Sequence, residues 1–289
     1  MPVVVIGGSG PVGRALIPRL VAAGSEVRAV VLPRNGIVDE LRAYGAKVAI
    51  GDPRNPDFLP AVFRDAHTLC HLVDTFPVED DAYFPRIAAT VQAAVDAARE
   101  AELARTVLLS YPGADTSSPN AFLRALGTAE EAVRSSSLGH VIVRSTHVCG
   151  HDSLWLRNMI SPLRGPVATV LGAGTQRVAP VFAEDVAAVL AAADDRSEEV
   201  QGLFGLQGPD VVTADELADF VAGRRRLKVH VSPRWVTRIT PLRGRRFSPA
   251  ALEILSSDSL TDGPDAAAEF GVKLTPLRQA LQVSGFIPT

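Results

Sequence analysis

Four glycines near the start of the chain have the spacing of a phosphate-binding loop. Gly7, Gly10 and Gly13 follow the pattern GxxGxxG, and Gly8 also satisfies GxGxxG in a shifted register. The loop stands between a β-branched run at residues 3–6 and an apolar helical pattern. In such loops one glycine makes the tight turn, one lets a pyrophosphate approach the backbone, and one lets helix and strand pack closely. This context favours dinucleotide binding over a structural turn, with predicted contacts at Gly7, Ser9, Gly10, Pro11, Val12, Gly13 and Arg14.

The end of the second predicted strand bears on the choice between NAD and NADP. An acidic residue there holds the ribose 2′-hydroxyl of NAD, whereas a basic residue accommodates the 2′-phosphate of NADP. Here the strand runs into Leu32-Pro33-Arg34, and no acidic residue occurs before Asp39. Arg34 therefore favours NADP, with NAD possible. The alternative is a solvent-facing arginine after a proline turn.

Three residues are candidates for the chemistry. Ser110 and Tyr111 end the fifth predicted strand, at the edge where ligands bind in parallel sheets. Tyr111 is a candidate proton donor to a carbonyl, although an unassisted phenol with a pKa near ~10 is a poor acid at neutral pH; the alternative is a pocket wall or loop anchor. Ser110 is expected to contact the nicotinamide ribose. His147 is a candidate substrate-contacting acid or hydrogen-bond donor.

A metal site is the competing interpretation of His147, Cys149 and His151. Alternate residues of an extended segment point to one side, and cysteine with histidine suits zinc. However, such alternates lie roughly 7 Å apart, and no second cluster completes the ligand set. No metal is predicted.

Composition indicates an ordinary globular protein. The 289 residues include 29 basic and 32 acidic ones, for a net charge of −3, and 47% are hydrophobic. This balance gives no reason to expect a nucleic-acid partner. A count of two cysteines is typical of a reducing compartment. No apolar run approaches the ~20 residues of a membrane span, and the position of the first strand leaves no room for a signal peptide. We therefore expect a cytoplasmic protein with a small-molecule substrate, and formation of a homo-oligomer is possible.

Apolar strands alternate with helices over the first half of the chain. This rhythm predicts an α/β fold, a doubly wound parallel sheet of Rossmann type with a small C-terminal substrate lobe. We expect residues 1–150 to form the dinucleotide-binding domain, with residues 178–208 returning to it. Residues 151–177 and 209–289 are expected to form the lobe.

Further motifs follow the glycine loop in a characteristic order. They are Gly51-Asp52-Pro53, His71-Leu72, Ser110, Arg144 with Val148-Cys149-Gly150, Pro180-Val181-Phe182 with Asp185-Val186-Ala187, and the tail at residues 255–281. Together they resemble the extended and atypical short-chain dehydrogenase/reductases, of the NmrA-like and NAD-dependent epimerase/dehydratase-like kind. The tail is similar to that of atypical members akin to an accessory subunit of respiratory complex I. The resemblance implies that Asp52, followed by Pro53, meets the adenine, and that Leu72 and Val73 lie beside the cofactor.

One departure from this family concerns its catalytic pair, Tyr-x-x-x-Lys, in which lysine lowers the pKa of the tyrosine. None of the three tyrosines has a lysine four residues later. Phe122 or Leu123 stands where the tyrosine is expected, and Leu126 or Gly127 where the lysine is expected. A conventional epimerase mechanism is therefore disfavoured.

The leading hypothesis is an NADP(H)-dependent oxidoreductase acting on a small carbonyl, enone or quinone-like substrate, oriented or protonated by Ser110, Tyr111 and His147. An apolar substrate is suggested by aromatic and aliphatic residues in the expected pocket loops, namely Phe76, Phe84, Trp155 and Leu156. The alternative is a non-catalytic NAD(P)-binding redox sensor or scaffold. A nucleotide-sugar epimerase or dehydratase is the weakest hypothesis.

A basic stretch lies in the second half. Nine basic residues occur between residues 224 and 246, and no acidic one occurs from Phe220 to Leu252. Such a stretch attracts an anionic substrate, an acidic partner or a membrane surface. The alternative is a solvated face.

Overall fold

The computed structural model describes residues 2–32, 37–55, 57–73, 83–160, 163, 167–195, 200–225, 227–239 and 248–288, without the side chains of 160 and 237–239. The first half alternates strands and helices in the following order: β1 Val3–Ile6, α1 Pro11–Ala22, β2 Val27–Val31, α2 Ile37–Ala43, β3 Lys47–Ile50, α3 Leu59–Phe63, β4 Thr68–Leu72, α4 Phe84–Glu100, β5 Arg105–Ser110, α5 Ala121–Arg134 and β6 Gly139–Ser145. These elements agree with the predicted alternation of strands and helices.

The central sheet has seven parallel strands in the order β11-β6-β5-β4-β1-β2-β3, where β11 is Gly202–Leu206. Strand β1 pairs with β2 on one side and with β4 on the other. The strand order therefore reverses at β1, and the crevice beyond its carboxyl end is where such folds bind ligands. The predicted doubly wound fold is confirmed.

Helices cover both faces of the sheet, which explains why its inner strands are apolar throughout. All four residues of β1 and all five of β4 are buried. Helix α1 packs beside α6 (Ala183–Asp195), and α4 packs beside α5. A strand buried on both sides needs no alternation of polar and apolar residues, so the run VVVI forms a strand without it.

Shorter elements make up the rest of the described chain, and most of them contribute to a second apolar core, that of the lobe, whereas α10 (Ala266–Glu269) packs on the core of the main sheet. They are β7 Val148–Cys149, β8 Ala168–Leu171, β9 Arg177–Val178, β10 Val181–Phe182, β12 Val212–Thr213, α7 Ala214–Ala222, β13 Lys228–Val231, α8 Pro233–Ile239, α9 Pro249–Leu255, α10 Ala266–Glu269 and α11 Leu277–Val283. Trp155, Val170, Leu217 and Leu281 are buried together in the lobe core. Among the described residues, no helix combines the length and apolar character needed to cross a bilayer.

A buried arginine joins the first residue of β5 to the end of α6. Arg105 is 1% exposed, and its guanidinium donates hydrogen bonds to the carbonyl oxygens of Ala193 and of Val200, the latter at 2.8 Å. Both carbonyls lie where the chain leaves α6 for β11. The side chain therefore satisfies backbone groups that secondary structure leaves unpaired at this crossing.

Replacing Arg105 by methionine is expected to lower the free energy of unfolding by about 3 kcal/mol, because two buried carbonyls lose their donors. Urea denaturation followed by circular dichroism measures this loss. The control is Arg99→Met. The Arg99 side chain is 60% exposed and pairs with Asp96 on the same helix, so this substitution should cost no more than about 0.5 kcal/mol. Equal losses in the two variants would contradict the assigned role.

Candidate functional site

A cleft of about 440 Å³ opens at the carboxyl edge of the sheet, above the point where the strand order reverses. Its walls come from the glycine loop, the ends of β2 and β4, the start of α4 and the segment after β6. Every predicted cofactor contact except Arg34 and Ser110 lines this cleft. Arg34 lies outside the described residues.

The glycine loop adopts a conformation that side chains would prevent. Gly7 has a φ of +88°, and a Cβ atom there would lie 2.3 Å from the carbonyl oxygen of Leu72. A Cβ on Gly13 would lie 2.4 Å from the Cα of Gly8, so this glycine lets α1 approach the loop. By contrast, a Cβ on Gly10 would meet only the Gly7 carbonyl at 3.8 Å. Gly10 therefore presents bare backbone to open space within the cleft, as a pyrophosphate requires.

The first turn of α1 completes an anion site beside Gly10. Pro11 occupies the first helical position, where a missing N–H leaves no bond unmade, and the first turn contains no acidic residue. No side chain caps this helix end. Its free N–H groups and the positive end of the helix dipole therefore face the cleft.

Arg14 lies one residue beyond the glycine loop, within an ion-pair group at the cleft wall. Its Nη1 donates to Asp152 at 3.0 Å, and its Nη2 lies 3.5 Å from Glu40. Asp152 also lines the cleft, so this pair connects α1 to the segment after β7 across the cleft wall. The predicted cation is thus near the phosphate position but shares its charge with two carboxylates.

The far end of the cleft carries the predicted adenine contacts. Asp52 accepts hydrogen bonds from the Arg54 guanidinium at 2.6 and 3.0 Å, and these hold the pKa of its carboxyl below the usual value. Pro53, Leu72 and Val73 line the same part of the cleft. The arrangement offers apolar surfaces for a base and one polar group at its edge.

His147 forms the wall at the other end, in contact with the side chains of Trp155 and Tyr111. Its ring stacks on Trp155 with centroids 5.5 Å apart and an interplanar angle of 16°. Its Nε2 lies 3.3 Å from the Tyr111 hydroxyl, which donates to Ser259 Oγ at 2.8 Å. His147 Nδ1 is buried, and no described residue forms a hydrogen bond with it. Leu154 and Trp155 line the cleft beside His147, so this end of the cleft combines apolar side chains with the His147 ring.

Tyr111 and Ser110 lie behind the cleft wall rather than on it. Tyr111 is 3% exposed, and burial raises the pKa of its phenol well above the usual value. The Ser110 hydroxyl donates to Glu130 at 2.7 Å. Neither residue is among the described residues that line the cleft. The structure therefore joins Tyr111 to His147 but turns Ser110 towards α5.

Glu130 is a buried carboxylate that the sequence analysis did not single out. Its side chain is fully buried and accepts hydrogen bonds from Arg144 Nε at 2.8 Å and Nη2 at 2.7 Å, besides Ser110. Arg144 Nη2 also donates to the Ala114 carbonyl. The sequence did contain a signal for Glu130, because this acidic residue lies on the buried stripe of α5, four residues after Leu126.

The three residues of the competing metal interpretation have separate neighbours. The Cys149 thiol is buried and donates to the Val181 carbonyl, whereas His151 is exposed. Within the described residues, no group of three histidine, cysteine, aspartate or glutamate side chains is placed to hold a metal ion. Of the apolar residues expected around the pocket, Trp155 lines the cleft, Phe84 and Leu156 are buried in the cores, and Phe76 lies outside the described residues.

Two buried histidines make stability sensitive to acid. Burial lowers the pKa of His71 to about 4 and that of His147 to about 3. Unfolding exposes both rings, which then take up protons near pH 6.5. Because the unfolded state binds more protons below that pH, stability is lost as the pH falls from 6.5 towards these values.

Between pH 7 and pH 5 we expect each buried histidine to cost about 2 kcal/mol of stability. Urea unfolding at the two pH values measures this difference. The variant His71→Gln should show a smaller loss on acidification than the unsubstituted chain, whereas the exposed-residue control His151→Gln should not. An unchanged loss in His71→Gln would show that this ring is not held neutral.

Comparison with known proteins connects this geometry to a family. A family profile described as NAD(P)H-binding matches residues 7–196. The mitochondrial protein "NADH dehydrogenase [ubiquinone] 1 alpha subcomplex subunit 9" of Arabidopsis thaliana is 31% identical over 233 residues, which are 75% of this chain and 56% of that protein. The ceramide reductase of Caulobacter vibrioides is 30% identical over 192 residues, 66% of this chain and 60% of that protein. The chain thus spans little more than half the length of these relatives.

A solved structure supports the same fold. The crystal structure of Citrobacter sp. triphenylmethane reductase complexed with NADP(H) superposes with a TM-score of 0.78 at 19% identity, covering 98% of this chain and 100% of that one. The matched profile begins at Gly7 and includes the whole glycine loop and both ends of the cleft described above. The chain therefore belongs to the NAD(P)H-binding family, as the resemblance of its motifs predicted.

Proposed function

We propose that the protein is an NADP(H)-dependent oxidoreductase that reduces a small carbonyl, enone or quinone-like compound with an apolar body. The observation that carries this proposal is the His147 ring, which stands in the cleft wall against Trp155 and has one nitrogen with no hydrogen-bond partner among the described residues. A buried polar atom without a partner is costly. A substrate oxygen would supply the missing hydrogen bond.

The glycine loop and the α1 N-terminus fit a nicotinamide dinucleotide. Gly10 leaves room for the pyrophosphate, and Asp52 stands at the adenine end of the cleft. When bound, the reduced dinucleotide supplies the hydride. The preference for NADP is supported by Arg34 in the sequence and by Arg14 at the cleft wall.

His147 acts as a neutral hydrogen-bond donor in this proposal. Its pKa of about 3 keeps the ring uncharged at neutral pH, so it does not serve as a titrating acid. Hydroxyl hydrogens rotate, and with a substrate oxygen at Nδ1 the bonds would run from Ser259 to Tyr111 and from Tyr111 to Nε2, leaving Nδ1–H for the substrate. The developing oxyanion is then stabilised by this N–H and protonated by water.

The first experiment titrates the purified protein calorimetrically with NADPH, NADP, NADH and NAD, and then follows NADPH absorbance with a panel of aldehydes, ketones, enones and quinones. We expect tighter binding of the NADP pair and consumption of NADPH with an apolar member of the panel. Replacement of His147 by phenylalanine keeps the stacking but removes the donor, and should lower kcat about a hundredfold.

The matched control is His140→Phe, because His140 lies on β6 at the opposite end from the cleft. This control should leave kcat unchanged. NADPH consumption that His147→Phe leaves intact would contradict the role of His147, and binding without turnover of any panel member would contradict the oxidoreductase itself.

A further prediction tests the close contact between Gly7 and the backbone of Leu72. Gly7→Ala and Gly24→Ala change two glycines with the same φ of +88°, so both bear the cost of that conformation. Only at Gly7 does the new Cβ meet another backbone, whereas nothing lies within 4 Å at Gly24. We expect Gly7→Ala to weaken NADPH binding tenfold or more, about 1.4 kcal/mol, and Gly24→Ala to preserve the Kd. Equal Kd values would remove the loop from the cofactor site.

The competing candidate is a non-catalytic NAD(P)-binding sensor or scaffold. It is favoured by the engagement of both hydroxyls predicted to do chemistry, Tyr111 by Ser259 and Ser110 by Glu130. It is also consistent with the similarity to a subunit of NADH dehydrogenase. Tight nucleotide binding without turnover would select this candidate. The cytoplasmic location expected from the sequence stays a prediction, because the name of that relative includes "mitochondrial".

A further inference from the structure

An exposed apolar face lies on the lobe, away from the nucleotide-binding cleft. Strands β8 and β13 pair in parallel, with Lys228 opposite Ala168 and Val229 opposite Thr169. Leu227 is 71% exposed, Val229 is 48% exposed and Val167 is 37% exposed. Because side chains alternate along a strand, these three residues lie on one side of the pair, called here the outer face.

The residues on the inner side of the same strand pair contact the lobe core or the acidic residues of α7. Ala168 and Val170 are buried in the lobe core. Lys228 forms an ion pair with Asp219 at 2.8 Å, and His230 lies 2.8 Å from Asp215. The nearby acidic residues of α7 are thus paired with inward residues, and within the described part of the chain the aliphatic residues of the outer face stay exposed.

Basic residues border the outer face. Arg224 and Arg225 are exposed just before Leu227, and exposed Arg234 and Trp235 follow β13, with Trp235 58% exposed. The sequence from Phe220 to Leu252 contains no acidic residue, although the whole chain carries a net charge of −3. The remaining basic residues of the stretch lie outside the described side chains; they are Arg226, Arg238, Arg243, Arg245 and Arg246.

We propose that the outer face and its arginines bind the surface of an anionic lipid bilayer peripherally. Arginines attract anionic headgroups, and aliphatic side chains with a tryptophan insert at the headgroup boundary. Exposed leucine and valine between cations suit this environment better than an acidic protein surface, which would leave them in polar contact. The outer face would thus recognise a phosphate-bearing headgroup together with the apolar layer beneath it. This proposal goes beyond the proposed function, since it needs neither nucleotide nor turnover.

The experiment is co-sedimentation of the full chain with vesicles of phosphatidylcholine and phosphatidylglycerol in equal parts, and with vesicles of phosphatidylcholine alone. We expect binding to the anionic vesicles that weakens with added salt. Arg224→Gln with Arg225→Gln should lower the partition coefficient about thirtyfold. Leu227→Gln with Val229→Gln should lower it at least about tenfold.

The matched control is Val283→Gln, an aliphatic residue on α11 that is 65% exposed and outside the outer face; it should bind as the unsubstituted chain does. Nucleotide affinity, measured on every variant, verifies that each one is folded. Equal binding to neutral vesicles, or none to either, would overturn the proposal. Retention on heparin without vesicle binding would assign the arginines to another polyanion. A dimer dissociated by the Leu227 and Val229 substitutions would assign the face to a second copy of the chain.

Discussion

Close backbone contact around the glycine loop is the constraint on which the site depends. Gly7 lies against the carbonyl of Leu72, and Gly13 lies against Gly8, at separations that leave no room for a Cβ. The first contact joins the end of β1 to the end of β4, and the second seats α1 on the loop. Only with both contacts do the N-terminus of α1 and the carboxyl edge of the sheet face the same space. The shape of the cleft therefore depends on glycine at positions 7 and 13, where a side chain would not fit.

Packing residues of α5 occupy the position where the family resemblance predicts a tyrosine and a lysine. Phe122 is fully buried and lies 5.9 Å from the Tyr111 ring and 5.6 Å from that of Phe84. One turn further, Gly127 lets α5 approach the backbone of Asp115, where a Cβ would lie 2.3 Å away. The buried Glu130 then binds Ser110 and Arg144. This helix thus uses its inner surface to hold β5 and β6 together.

The sequence predicted the elements of the sheet well, because each rests on local signals. Val3–Ile6 is apolar throughout, the helix from Ala121 follows Asn120 as a cap, and glycines mark the loop. The surroundings of Tyr111 were beyond such signals. Its partner Ser259 lies 148 positions away, and the burial that raises its pKa comes from several elements, including Phe122 of α5 and His147 after β6. Ser110 likewise depends on Glu130 from the facing helix. Local patterns identify strand ends, but the direction in which a strand-end side chain points depends on what the rest of the chain places there.

The lobe has one core and two surfaces for which we propose functions. Trp155 reaches this core from the cleft wall, and Val170 reaches it from the inner side of the β8–β13 pair. A substitution inside the core would disturb the cleft and the outer face together, so the two can be separated only through residues at the surfaces themselves. His147 meets this condition on the cleft side, since its ring contacts Trp155 from outside the core. Leu227 and Val229 meet it on the other side, because they project away from Ala168 and Val170. The lobe can therefore vary its substrate wall and its outer surface independently while the packing between them stays the same.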